Sequence, residues 1–183
     1  MKDEVCVCLL RGINVSGKNM IRMPVLQELF SGLGYRNIAT YVQSGNIVFT
    51  HSGKETGILT AEIEKAIKEK LNLEVPAVIR TRAEIKTILE NNPFYDSSPD
   101  GADRLYVTML KTSPSLAKLS ELKEIDFSPE KLSIRGLDAY IFCPDGYGRA
   151  KLNNNFIEKK SGSVSTTRNW KTINALNEMM GKF

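Results

Sequence analysis

The chain has 183 residues, of which 42% are hydrophobic and 25% are charged, an ordinary composition for a folded protein with a sizeable core. No apolar stretch approaches the roughly 20 residues that a membrane-spanning helix needs, so we expect no membrane contact and a cytoplasmic location. The single histidine and three cysteines show no ligand spacing for a structural metal site, and we expect neither a metal nor a cofactor.

The net charge of +4 is unevenly distributed along the chain. Residues 149–183 contain seven Lys or Arg and two Glu, a local charge of +5, so residues 1–148 together carry −1. A basic C-terminal segment is typical of contact with phosphates or nucleic acid, and equally of a solvated helix surface.

The first 81 residues predict a ferredoxin-like unit. A buried strand over about 5–11 is followed by a loop with two glycines and then by a helix that begins near Pro24. A hairpin with the turn QSGN follows, then an amphipathic helix over about 59–71 and a fourth strand, VPAVIR. This order, βαββαβ, is that of the ferredoxin-like fold.

Residues 82–183 predict a second unit on a similar plan. Thr81 and Glu84 have the spacing of a capping box ahead of a linking helix over about 82–91. There follow the strand RLYVTML, a helix opened by Ser113 with Leu116 and Leu119 inward, the hairpin strands KLSIRG and DAYIFC, a helix over about 149–160 and a helix from about Thr167. We therefore predict an α+β protein of two ferredoxin-like halves, residues 1–81 and 82–183, each with an antiparallel sheet packed by helices.

The connection after the first strand reads RGINVSGKN, one residue from the phosphate-binding loop G-x-x-x-x-G-K-[ST] of nucleotide hydrolases. In that loop the helix begins at the Gly-Lys pair, so that its free N–H groups face the phosphates. Here no helix is expected before about residue 22, and Asn19 replaces the hydroxyl that would hold magnesium. We therefore reject the hydrolase interpretation, and interpret Gly12 and Gly17 as turn residues with positive φ.

The predicted topology places the polar groups of this loop beside the hairpin turn. In a ferredoxin-like sheet the first and third strands are antiparallel neighbours, so the end of the first strand lies beside the turn QSGN. The resulting patch suits a phosphate or a carboxylate. Its candidate ligand-binding residues are Arg11, Asn14, Lys18, Asn19, Gln43, Ser44 and Asn46. Arg11 and Asn14 also have a structural interpretation, in which they tie down loop carbonyls and cap a turn.

Two stretches near the C-terminus are further candidates. GRAKL and TTRNW are each expected to begin a helix, where cationic side chains and free N–H groups face one anion. The candidate contacts are Arg149, Lys151, Arg168 and Asn169. Trp170 fits a core position, although an exposed indole would stack on a base. Two strands also resemble those of the RNA-recognition module, although the aromatic positions of its second motif are out of register. The aromatic residues that would stack on bases are Tyr106, Tyr140 and Phe142.

No catalytic residue is assigned from the sequence. His51, the only histidine, is expected in a surface turn, and the carboxylate pairs fall on exposed helix faces. Cys6 and Cys8 alternate along the first strand, which places both thiols on one face as reduced core residues.

Six motifs occur in a fixed order between about residue 8 and residue 173: LLRGINVSGKN, TYVQSGNIVF, VPAVIRT, NNPF, PDGYGRAKLNN and TTRNW. In them the chain resembles the bacterial proteins of the domain-of-unknown-function family 1697 (DUF1697). Ser16 stands where that family has the first of two paired glycines. The resemblance implies no particular activity, because none is established for the family.

The sequence thus predicts a protein that binds a phosphorylated ligand, either a nucleotide or nucleic acid, through the glycine loop, the QSGN turn and the GRAKL segment. Two other classes stay open: an enzyme acting on a small anionic metabolite at the same patch, and a protein-interaction module. An enzyme is expected to show a deep pocket with a proton-transfer group, a nucleic-acid binder a continuous basic groove, and an interaction module a large apolar patch. The sequence predicts no oligomeric state.

Overall fold

The structure is a computed structural model that describes residues 3–15, 17–96 and 101–183. The first half contains β1 (Asp3–Leu10), α1 (Met23–Gly32), β2 (Arg36–Tyr41), β3 (Asn46–Ser52), α2 (Thr56–Leu71), β4 (Ala77–Thr81) and α3 (Arg82–Glu90). The second half contains β5 (Leu105–Leu110), α4 (Leu116–Lys123), β6 (Lys131–Arg135), β7 (Asp138–Phe142), α5 (Asn154–Ser161), β8 (Ser165–Asn169) and α6 (Trp170–Met180). Among the described residues, no helix has the length and apolar character needed to span a membrane.

The strands form two four-stranded antiparallel sheets with the same topology. The first sheet has the order β2-β3-β1-β4, and the second has the order β6-β7-β5-β8. In each sheet the first strand of its half lies between the third and fourth strands, as in the ferredoxin-like fold. The prediction of an α+β protein with two ferredoxin-like halves is therefore confirmed.

The two halves also correspond in strand register. Val7 of β1 lies opposite Arg80 of β4, and Val107 of β5 lies opposite Arg168 of β8. Both arginines are buried, and each fourth strand leads directly into a helix. The duplication is therefore present in residue positions of the sheets, although no residue-level repeat is visible in the sequence.

The core of the first half lies between one face of its sheet and the helices α1 and α2. Three aromatic rings pack at its centre, Phe30, Tyr35 and Phe49, with centroids 4.7–5.8 Å apart. Cys6 and Cys8 lie buried in the same core as free thiols, which confirms the prediction for them. Each large apolar side chain buried here contributes about 1.5–3 kcal/mol, so this packing is a main source of stability for the first half.

The chain divides into two compact units. One consists of Met1–Lys86 together with Ala175–Phe183, and the other consists of Thr87–Asn174. The helix α6 therefore begins in the second unit and ends in the first. The division of the chain into domains at residues 81 and 82 stays a prediction.

The basic segment GRAKL does not begin a helix as predicted. A single 3₁₀ turn at Tyr147–Arg149 includes its first two residues, and α5 begins only at Asn154. The Asn153 side chain accepts the Phe156 N–H at 3.0 Å and is the N-cap of α5. The prediction that GRAKL forms a first helical turn is wrong, because the capping asparagine lies further along the chain.

Residues 165–169 form β8 rather than the first turn of the last helix. The neighbouring β-branched residues Thr166 and Thr167 favour a strand. The Asn169 side chain then accepts the Thr172 N–H at 2.8 Å, so that α6 begins at Trp170. The predicted helix start near Thr167 is therefore wrong by about one turn.

The helix α4 also differs from its prediction. Its N-cap is Ser115, whose side chain accepts the Lys118 N–H, rather than Ser113. Because the helix begins two residues later, Leu116 is 83% exposed instead of inward, and Leu122 is the buried residue.

Candidate functional site

The glycine loop connects β1 to α1 and is held by hydrogen bonds within itself. The Lys18 N–H donates to the Val15 carbonyl at 2.9 Å, and the Asn14 N–H donates to the Asn19 carbonyl at 3.2 Å. Gly12 and Gly17 have φ angles of 67° and 75°, as predicted for turn glycines. The first helix begins at Met23, which confirms that this is not the phosphate loop of a nucleotide hydrolase.

Asn14 ties this loop to the hairpin between β2 and β3. Its Nδ2 donates to the carbonyls of Ile21 at 2.9 Å and of Gln43 at 2.8 Å, and its Oδ1 accepts the Ile21 N–H at 2.8 Å. The prediction that the loop and the QSGN turn lie together is therefore confirmed. Both N–H groups of the amide are already used within the protein, so Asn14 holds two backbone segments together.

Gly45 allows the hairpin to approach β1 closely. Its carbonyl accepts the Leu10 N–H at 2.8 Å, and its φ is 71°. A Cβ at this position would lie 2.8 Å from both Ile13 Cδ1 and Leu10 Cβ, closer than carbon atoms can approach. Only glycine fits between the loop and the strand here.

Two further asparagines among the candidates shape the backbone. Asn19 donates to the Gly12 carbonyl at 3.2 Å. Asn46 is fully buried and donates to the Tyr41 carbonyl at 3.0 Å and to Ser44 Oγ at 2.9 Å. Both side-chain amides donate to groups of the protein, so they hold the backbone of the loop and the turn in place.

The outward side of the loop and the hairpin turn is cationic and partly apolar. We name residues 11–22 and 41–46 the loop surface; they include three cations and no carboxylate, with Ser16 outside the described residues. Lys18, Arg22 and Gln43 are exposed, whereas Arg11 is half-buried and interacts within the protein. Three large apolar side chains are also exposed: Val15 (58%), Met20 (68%) and Val42 (53%).

Val42 has an unusual backbone conformation. Its φ is 49°, in the left-handed region that β-branched residues avoid. Such a residue costs of order 1–3 kcal/mol and persists only where the surrounding structure imposes it. The strained valine occupies the exposed tip of the hairpin turn that Asn14 holds against the glycine loop.

The sequence model of DUF1697, described as a protein of unknown function, matches residues 4–140 of the chain. The chain belongs to this family. It is also similar to the solved structure of a conserved bacterial protein from Streptococcus pneumoniae, with a TM-score of 0.78 and 22% sequence identity. The match covers 98% of this chain and 99% of that one, and at this identity it shows the fold alone. No curated protein matches the chain.

The GRAKL segment of this DUF1697 chain differs from the expected anion site. The Lys151 N–H and the Leu152 N–H both donate to the Glu130 carboxylate, each at 2.8 Å. These N–H groups were expected to bind an external anion, and that expectation is wrong because a carboxylate of the protein occupies them. The side chains of Arg149 and Lys151 remain exposed.

The candidates near β8 have structural roles in this DUF1697 chain. Arg168 is buried and donates from one guanidinium nitrogen to Thr166 Oγ1 at 2.7 Å and to the Thr167 carbonyl at 2.9 Å. Asn169 caps α6, as described above. Trp170 is 5% exposed and lies 5.7 Å from the Tyr95 ring, so its core interpretation is confirmed.

The aromatic residues of the second sheet do not form a stacking platform. Tyr140 is buried, and Tyr106 already stacks on Tyr147 with ring centroids 4.7 Å apart. Phe142 lies below the Lys131 ammonium at 5.6 Å. The echo of the RNA-recognition module therefore does not extend to exposed aromatic rings at these positions.

His51 is a buried residue of β3 rather than part of a surface turn. Its Nδ1 accepts the Lys54 N–H at 3.3 Å, and its Nε2 lies 3.4 Å from Cys6 Sγ. Burial lowers the pKa of His51, whereas burial, with a smaller effect of Glu4, raises the pKa of Cys6 to about 12. The pair is therefore a neutral thiol beside a neutral imidazole and not a nucleophile with its base. The alternation of inward residues along β3 was the signal that predicts His51 as buried.

Proposed function

We propose that this DUF1697 protein binds nucleic acid through the loop surface. The observation that carries the proposal is the combination of three cations, exposed aliphatic side chains and no carboxylate on two segments that Asn14 locks together. A cytoplasmic location belongs to the same proposal, because buried free thiols are typical of a reducing compartment.

Lys18 and Arg22 of the loop surface differ from three other cations of the first half. Arg36, Lys54 and Lys68 each lie against a carboxylate of the protein. Within the described ranges, the side chains of Lys18 and Arg22 have no hydrogen-bond or ion-pair partner. Exposed cations of one loop are suited to the phosphates of a nucleic-acid backbone, and their contacts release counterions.

The exposed aliphatic side chains favour nucleic acid over a small anion. Val15, Met20 and Val42 are exposed on the loop surface, and an inorganic phosphate would gain nothing from contact with them. A polynucleotide presents sugars and base faces beside its phosphates, and these bury apolar surface on contact. The cations and the aliphatic groups then act on the same ligand.

The backbone of the loop surface is prepared in advance of binding. The amide of Asn14 makes three hydrogen bonds at 2.8–2.9 Å, and Asn19 adds another within the loop. A surface that is already ordered loses less conformational entropy when the ligand binds. The asparagines therefore position Lys18 and Arg22 without contacting the ligand.

The test is a titration of labelled single-stranded RNA, single-stranded DNA and duplex RNA, followed by fluorescence anisotropy over a series of salt concentrations. We compare the wild type with the double variant Lys18→Gln and Arg22→Gln. Two lost phosphate contacts should reduce the slope of log K against log salt by about 1.4 for a single strand and by about 1.8 for a duplex.

The matched control is the double variant Lys159→Gln and Lys171→Gln, which removes two exposed positive charges from α5 and α6. It should leave the slope and the affinity close to those of the wild type. An equal loss of affinity in both double variants would show that only net charge matters. Absence of binding to all three nucleic acids would overturn the proposal and favour a protein partner.

A further inference from the structure

We infer that the second unit holds a separate binding site for a small molecule that bears a phosphate or two carboxylates. A cavity of about 440 Å³ lies there and shares no residue with the loop surface, and this volume is within the range of small-molecule sites. Its lining residues are Arg104, Glu130, Cys143, Pro144, Asp145, Gly146 and Arg149.

Two arginines in the lining make this cavity suited to an anion. Arg104 and Arg149 both line it, and both are exposed. In the part of the chain that the structure describes, neither guanidinium has a hydrogen-bond or ion-pair partner. Two guanidinium groups in the lining of one cavity favour an anionic ligand, because their planar forks fit the oxygens of phosphate or carboxylate.

The two carboxylates of the lining, Glu130 and Asp145, have different surroundings. Glu130 is held by the N–H groups of Lys151 and Leu152, each at 2.8 Å, so both of its oxygens are turned to the backbone. Asp145 is the other acidic residue of the lining, and it is exposed. A ligand with a hydroxyl group beside its anionic group would satisfy Asp145 and the arginines together.

The backbone around the cavity is ordered by short hydrogen-bonded turns. The Cys143 N–H donates to the Arg104 carbonyl at 2.9 Å, and the Gly146 N–H donates to the Cys143 carbonyl at 3.1 Å. Gly146 has a φ of 86°, and a Cβ there would lie 3.5 Å from an Arg104 guanidinium nitrogen. The Arg104 side chain therefore lies along the turn that also carries Asp145.

The Cys143 thiol is a structural part of this cavity and not a reactive nucleophile. Its thiol is buried in the wall of the cavity. Burial, with a smaller effect of Glu130, raises the pKa of the thiol to about 12. The sulfur therefore stays protonated at neutral pH and serves as a wall of the cavity.

Isothermal titration calorimetry with inorganic phosphate, glycerol 3-phosphate and malate tests this inference on the full chain. We expect glycerol 3-phosphate or malate, which carry a hydroxyl group, to bind more tightly than inorganic phosphate. Arg104→Gln and Arg149→Gln should each weaken that binding at least tenfold, and Arg149→Lys should weaken it as well because the planar fork is lost. Melting temperatures close to the wild-type value would show that the variants are folded.

Two variants separate this site from the loop surface. The double variant Lys18→Gln and Arg22→Gln should bind these small anions as the wild type does, and so should the charge control Lys159→Gln. The inference is wrong if none of the three probes binds at millimolar concentration, or if both arginine variants bind as the wild type does. Nucleic-acid binding by the Arg104→Gln variant should be unchanged, so each proposal fails or stands by itself.

Discussion

Replacing Asn14 with aspartate should destabilise the protein through the loop it holds. Aspartate keeps the side-chain shape and an oxygen for the Ile21 N–H, and it tolerates the φ of 54° at this position. It lacks the two N–H groups that now donate to the carbonyls of Ile21 and Gln43. The backbone strain is therefore unchanged, and the variant reports on these hydrogen bonds.

The expected loss follows from the contacts. Two hydrogen bonds at 2.8 and 2.9 Å disappear, which costs about 0.5–1.5 kcal/mol each. A carboxylate oxygen then faces two carbonyl oxygens, and leaving such groups unsatisfied adds about 1–3 kcal/mol. We expect the free energy of unfolding to fall by about 2–6 kcal/mol in total.

Urea denaturation followed by circular dichroism measures this loss. Gln43→Ala is the matched control: the Asn14 amide contacts the backbone carbonyl of residue 43, which alanine keeps, so its stability should stay within about 0.5 kcal/mol of the wild type. Protonation of the introduced carboxyl group would restore one donor, so the deficit should shrink as the pH falls below about 5. A variant as stable as the wild type at pH 7 would refute the role that we assign to Asn14.

Two other predictions concern backbone strain and pH. Val42→Asn should raise the free energy of unfolding by about 1 kcal/mol, because asparagine adopts the φ of 49° more easily; an unchanged melting temperature would contradict this. Because burial lowers the folded-state pKa of His51 below its ordinary value of 6.5, the unfolded chain binds a proton first, and stability should decline as the pH falls below about 6.5. His51→Phe should flatten that decline in urea titrations at a series of pH values, and an equally steep decline in the variant would place its origin elsewhere.

Local patterns predicted much of the first half correctly. The capping box is one example, since Thr81 Oγ1 accepts the Glu84 N–H at 3.2 Å and the Glu84 carboxylate accepts the Thr81 N–H at 2.7 Å. The hairpin turn and the start of α1 likewise depend on residues within a few positions of each other. The ferredoxin-like topology then predicted that β1 and β3 are neighbours, and therefore that the glycine loop lies beside the QSGN turn.

The strand β8 was missed because its stabilising contacts are distant in sequence. Thr167 Oγ1 lies 2.7 Å from Thr108 Oγ1 and accepts the Tyr147 hydroxyl at 3.0 Å. This network buries polar groups on the inner face of the second sheet, where hydrophobic periodicity gives no strand signal. Residues 165–169 are polar and include residue types that cap helices, so the sequence pattern resembled the start of a helix.

The adjacency of the loop and the hairpin turn was predicted correctly, but the orientation of their side chains was not. Sequence spacing brings the loop and the hairpin together, yet it does not show which side of an amide a neighbour occupies. Asn14 and Asn46 face the backbone, whereas Lys18 faces solvent. The occupation of the Lys151 N–H by Glu130 was also beyond sequence reasoning, because 21 positions separate the two residues.

The most direct measurement of the central claim is a nuclear magnetic resonance titration of the ¹⁵N-labelled protein with a short single-stranded RNA. We expect the amide signals of the loop surface, residues 11–22 and 41–46, to shift progressively with RNA concentration, and the shifts to shrink in the double variant Lys18→Gln and Arg22→Gln. Saturable shifts confined to other parts of the chain, with the signals of the loop surface unmoved, would contradict the proposed nucleic-acid site.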